Sequence, residues 1–71
     1  MDTVHHMRVD GQKLRRLRQR NLWTQEALSR ASGVNRDSIS RLEIGKSGAH
    51  ADTIKKLGHA LGVDPRELIA D

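Results

Sequence analysis

The sequence contains no cysteine, no phenylalanine and no tyrosine, and it has a single tryptophan and a single proline. Without thiols there is no disulfide framework and no thiolate chemistry, a pattern that fits the cytoplasm. A lone aromatic makes a poor stacking platform for bases, so Trp23 reads as a core or rim residue. No apolar run approaches the roughly 20 residues of a membrane span. The first ten residues lack the apolar core of a secretory signal. His5 and His6 are adjacent while His50 and His59 lie far along the chain, and no spacing among them matches a structural zinc motif. No glycine-rich phosphate loop is present, and no nucleophile–base–orienter set can be assembled. The expectation is a non-enzyme without metal, cofactor or small-molecule ligand.

What remains is short, basic and periodic. With 71 residues the chain holds one domain at most, and a domain of this size buries only roughly 60% of its unfolded surface. Hydrophobic residues make up 35% of it, but they cluster at helical spacing, which indicates a packed domain rather than disorder. The formal charge of +4 favours a polyanionic partner, nucleic acid or an acidic membrane surface. The arginine-rich first helix lacks the bulky apolar face that membrane-surface binding needs.

Five short helices are expected, with no strands. Residues 1–9 read as a flexible arm, with Val4, Met7 or Val9 packing locally, and residues 10–71 as the domain. Asp10 caps a first helix running to about Arg20, with Leu14 and Leu17 inward and Arg15, Arg16 and Arg20 outward. Asn21 is a plausible left-handed residue at its end. Thr24 caps the second helix, whose inner stripe is Ala27, Leu28 and Ala31, and Gly33 stops it. Asn35 caps the third, which buries Ile39 and Leu42 and ends at Gly45. A loop with Gly48 leads to a fourth helix carrying Ile54, Leu57, Ala60 and Leu61. Asp64-Pro65-Arg66-Glu67 has the form of a further helix start.

The informative stretch spans about residues 24–45. Two short helices flank a tight turn at Gly33, as a helix-turn-helix requires. Its second helix turns Arg36, Asp37, Ser40 and Arg41 outward, polar side chains able to reach base edges.

This stretch resembles the helix-turn-helix of the phage repressor and Cro (Xre-like) family. The resemblance rests on Thr24-Gln25, Ala27-Leu28, Gly33-Val34, and Ser38-Ile39 followed by Leu42-Glu43 and Gly45-Lys46. It extends to Leu14–Gln19, to Leu57–Val63 and to the segment after Asp64. It implies an all-α, compact five-helix, lambda-repressor-like fold that binds double-stranded DNA and regulates transcription, most often as a repressor. Arg36, Asp37, Ser40 and Arg41 then match base-contacting positions. Gln25 matches a residue that holds a phosphate and braces the recognition helix. Lys46 matches a phosphate contact, and Thr24, Asn35 and Ser38 join them on the backbone side. Arg18 and Glu43 match a partly buried ion pair tying the first helix to the third. Two departures stand out. Leu22 occupies a position that is often glycine in the family, which points to Asn21 as the left-handed residue of that turn. The loop after Lys46 lacks the usual proline.

A single such module offers few base contacts, so a homodimer is expected, with Leu68 and Ile69 as its candidate interface. Each reading has a plainer rival. Arg36 and Arg41 could be solvated helix residues, Asp37 could merely favour a helix N-terminus, and Leu68 and Ile69 could be buried within one chain. Alternative roles are a restriction–modification controller, an antitoxin, or a protein-binding adaptor that does not touch DNA.

Overall fold

The computed structural model describes residues 6–70. Val4, His5 and the rest of the first five residues of the expected arm, with Asp71, lie outside the described residues. Among the described residues four α-helices follow one another: α1 (Gly11–Arg20), α2 (Gln25–Ser32), α3 (Arg36–Glu43) and α4 (Ala51–Leu61). A 3₁₀ turn, Pro65–Leu68, closes the chain. The fold is all-α, and among the described residues two isolated antiparallel bridges join Met7 with Ala49 and Val9 with Ile69.

Local chemistry sets the boundaries. The Asp10 carboxylate accepts from Lys13 N–H at 3.1 Å, Thr24 Oγ1 from Ala27 N–H at 3.0 Å, and Asn35 Oδ1 from Asp37 N–H at 2.7 Å. Each satisfies an amide that the first helical turn leaves without a partner. Gly33 ends α2 at φ 77°, a left-handed conformation that glycine adopts without steric penalty. Two serines brace the following turn. Ser29 Oγ donates to Val34 O at 2.6 Å, and Ser32 Oγ accepts from Val34 N–H at 3.1 Å.

Leu14, Leu28, Ile39, Leu42, Leu57 and Leu68 are the largest fully buried side chains. They draw every helix onto one core, with α2 seated against both α3 and α4, α1 against α3, and the 3₁₀ turn against α4. Burial of such side chains removes apolar surface from water and is the main favourable contribution to folding.

Four expectations need correction. Asn21 has φ −86°, and the left-handed residue of the α1–α2 turn is Leu22 at φ 60°. Asn21 instead remains helical enough to donate Nδ2–H to Leu17 O at 3.0 Å. The inner stripe of α2 is narrower than expected: Leu28 alone is buried there, Ala27 is half-buried and Ala31 exposed. The fifth helix stops after one 3₁₀ turn. Asp64 caps it as expected, by accepting from Arg66 N–H, but Ile69 is extended and bridges Val9, and Ala70 N–H donates to Arg8 O. Pairing with the N-terminal segment takes the Ala70 amide and the Leu68 carbonyl, which accepts from Asp10 N–H, groups that a further helical turn would have used. Finally, Leu68 has no exposed surface in the single chain, so it belongs to the core and not to a surface that a partner could meet. Ile69 is half-buried.

Candidate nucleic-acid interface

The geometry of α3 is held by a buried polar knot. Arg18 on α1 meets Glu43, the last residue of α3, through two parallel hydrogen bonds: Nε to Oε2 at 2.6 Å and Nη2 to Oε1 at 2.9 Å. Both residues are 8% exposed. The remaining Arg18 donor, Nη1, reaches the Trp23 carbonyl at 2.8 Å. Gln25, first residue of α2, donates Nε2–H to Glu43 Oε1 at 3.1 Å. One carboxylate thus ties together α1, α2 and α3. The hydrogen bonds to Glu43 raise the Arg18 pKa, burial opposes them, and the charge of Glu43 adds to the rise. The guanidinium is charged at any pH the fold survives. Fork-to-fork pairing of this kind fixes direction as well as distance.

The knot orients α3 so that Ile39 and Leu42 face the core while Arg36, Asp37, Ser38 and Arg41 are exposed and Ser40 is half-exposed. These five residues lie on one eight-residue helix, about 12 Å long at 1.5 Å per residue. An α-helix is about 10–12 Å across with its side chains, which fits the major groove of B-DNA, about 12 Å wide. Lys46 is exposed just beyond the C-terminus of α3.

Three of the residues expected on the backbone side, Thr24, Gln25 and Asn35, sit at the starts of α2 and α3. Thr24 and Asn35 are exposed, Gln25 half-buried. Their capping and bracing bonds leave donors over. Thr24 and Asn35 cap through acceptor oxygens, which leaves the threonine hydroxyl hydrogen and the asparagine amide hydrogens free of the cap. Gln25 engages Glu43 through one amide nitrogen that carries two hydrogens. Ser29 and Ser32, which staple the turn, were not singled out in the sequence. Two hydroxyl residues within the four positions before Gly33 are a signal that could have found them.

Arg15, Arg16 and Arg20 are exposed on α1. Among the described residues, no helix is long and apolar enough to cross a membrane.

A four-helix core, a glycine turn between α2 and α3, and a polar exposed recognition helix define a helix-turn-helix protein. The family model for the helix-turn-helix domain matches residues 11–70. Among curated proteins the chain is 37% identical over 60 residues to control protein C.BamHI of Bacillus amyloliquefaciens, covering 83% of this chain and 74% of that one. Among solved structures it is similar to the restriction-modification controller protein C.AhdI from Aeromonas hydrophila, at 39% identity and a TM-score of 0.78, covering 83% of this chain and 89% of that one. The hypothetical transcription factor NHTF from Neisseria superposes with a TM-score of 0.79 at 25% identity, covering 99% of this chain and 87% of that one. The chain belongs to the helix-turn-helix family of DNA-binding regulators.

Proposed function

We propose that this protein binds double-stranded DNA sequence-specifically as a homodimer, in the cytoplasm, and controls transcription from the site it occupies. The observation that carries the reading is the exposed row on α3, held in place by Arg18, Gln25 and Glu43. Arg36, Asp37, Ser40 and Arg41 contact base edges. The guanidinium fork of Arg36 suits guanine O6 and N7, and Asp37 can accept from cytosine N4. Thr24, Gln25, Asn35, Ser38 and Lys46 hold phosphates and fix the register of α3 in the groove. Two copies related by a two-fold axis set their α3 helices roughly 34 Å apart on an inverted repeat. With Leu68 in the core, Ile69 is the one apolar residue of the expected pair that retains surface for a partner.

A more specific role follows from the relatives. Two of the similar proteins are named as control proteins, C.BamHI outright and C.AhdI as a restriction-modification controller. Their identities of 37% and 39% favour a controller of a restriction–modification operon over an antitoxin or a non-DNA adaptor. An adaptor would present apolar anchors on α3, whereas its exposed residues are charged or hydroxylated.

Selection from a random-sequence duplex pool at low salt tests the reading. An enriched inverted repeat supports it. A protein that retains no duplex from the pool contradicts it.

A further inference from the structure

The N-terminal segment docks where no motif in the sequence placed it. Met7 N–H donates to Ala49 O at 2.8 Å and Ala49 N–H to Met7 O at 3.0 Å. This bridge lays residues 6–7 along the loop between α3 and α4. Gly48 permits the approach, since a β-carbon there would run into the Met7 carbonyl. The bridge sets the His6 ring edge-on to that of His50, with centroids 4.7 Å apart and planes at 72°. Both imidazoles line a cavity of about 180 Å³ whose α3 wall carries Ser38 and Arg41 and whose α4 wall carries Thr53.

We propose that His6 and His50, together with Ser38, form a further seat for a DNA backbone phosphate beside the groove that α3 enters. The proposal rests on the DNA-binding reading given above. Ser38 and Arg41 belong both to this cavity and to the exposed face of α3, so the two surfaces are continuous. The side chains around it offer imidazole, guanidinium and hydroxyl donors. Among the described residues that line it there is no carboxylate. His50 also occupies the cap position of α4 without making a side-chain cap bond, which leaves the positive end of an 11-residue helix facing the same loop. Asp52, the acid of that first turn, is exposed and does not line the cavity. A phosphate contact positions the protein without reading sequence, so its loss must weaken all duplexes alike.

The test uses the full chain with two duplexes of equal length, one carrying the selected repeat and one scrambled. The His6→Ala, His50→Ala double variant is expected to weaken binding to both duplexes by about tenfold, the effect of one lost charge-assisted contact, with helicity and melting temperature unchanged. His6→Arg is expected to keep wild-type affinity. Gly48→Ala, which removes no donor but blocks the docking of Met7, is expected to weaken both duplexes as the double variant does. The proposal is overturned if the double variant binds both duplexes like the wild type, or if its loss is confined to the selected repeat. A wild-type protein that binds neither duplex overturns the DNA-binding reading, and this seat with it.

Discussion

Leu22 holds a backbone conformation that leucine avoids. At φ 60° its β-carbon crowds the neighbouring carbonyl, a strain of roughly 1–2 kcal/mol for an L-residue. Its side chain is 92% exposed and recovers nothing by burial. Leu22→Gly should therefore stabilise the protein by about 0.5–1 kcal/mol after the added freedom of the unfolded chain is counted. The readout is a higher urea midpoint at unchanged slope, and a lower midpoint would contradict the account of this turn. Arg18 and Glu43 make the opposite case. Each is buried and satisfied by the other, so Arg18→Ala or Glu43→Ala alone should cost about 3 kcal/mol by stranding the remaining charge. The double variant should lose clearly less than the sum, as a double-mutant cycle in urea would show. At the surface, hydrogen bonds from the Arg66 side chain and backbone hold the Asp64 carboxyl at about 2, below the usual value near 3.9. A folded pKa below the unfolded one means that the capping contribution is complete above about pH 4 and is lost as pH falls toward 2. A carboxyl-carbon NMR titration of Asp64 should give that low midpoint and should shift upward with salt, which screens the exposed pair.

At the scale of elements, the first four helices and most of their ends were legible, while the α1–α2 turn and the extent of the last helix were not. Asp10, Thr24 and Asn35 cap helices as their residue types suggest, and Gly33 and Gly62 take the left-handed ends. These are local effects, decided within four residues of sequence. The α1–α2 turn was misread because the choice between Asn21 and Leu22 depends on where Arg18 must reach. Arg18 O accepts from both Asn21 N–H and Trp23 N–H, and Arg18 Nη1 holds the Trp23 carbonyl, contacts that fix the turn from outside its own residues. The last helix was overextended for a similar reason: Val9 and Arg8, some 60 residues earlier, capture the backbone after Leu68. The inward place of Arg18, four residues after Leu14 on one face of α1, is open to helical spacing, but its pairing with Glu43 was legible only through family resemblance. In the division of work proposed around α3, Lys46 is assigned to the DNA backbone. Lys46→Ala should weaken binding to every sequence alike and lower the slope of log affinity against log salt by about one. A loss confined to one sequence would move Lys46 to the bases.

For the whole molecule, the small core and the exposed α3 belong to one design. Leu14, Leu28, Ile39, Leu42, Leu57 and Leu68 leave little apolar surface for other uses. The buried knot at Glu43 aims α3 without adding to that core. One short helix makes few base contacts, so specificity in the range of natural operators calls for two copies. The most direct measurement is the affinity of wild-type and Arg36→Ala protein for the selected repeat and for its single-base variants. The account predicts that Arg36→Ala loses about 1–3 kcal/mol per half-site on the repeat and becomes indifferent to one base pair, while discriminating at the others as before. Unchanged affinity, or a uniform loss with every base preference intact, would contradict the claim that α3 reads sequence in the major groove.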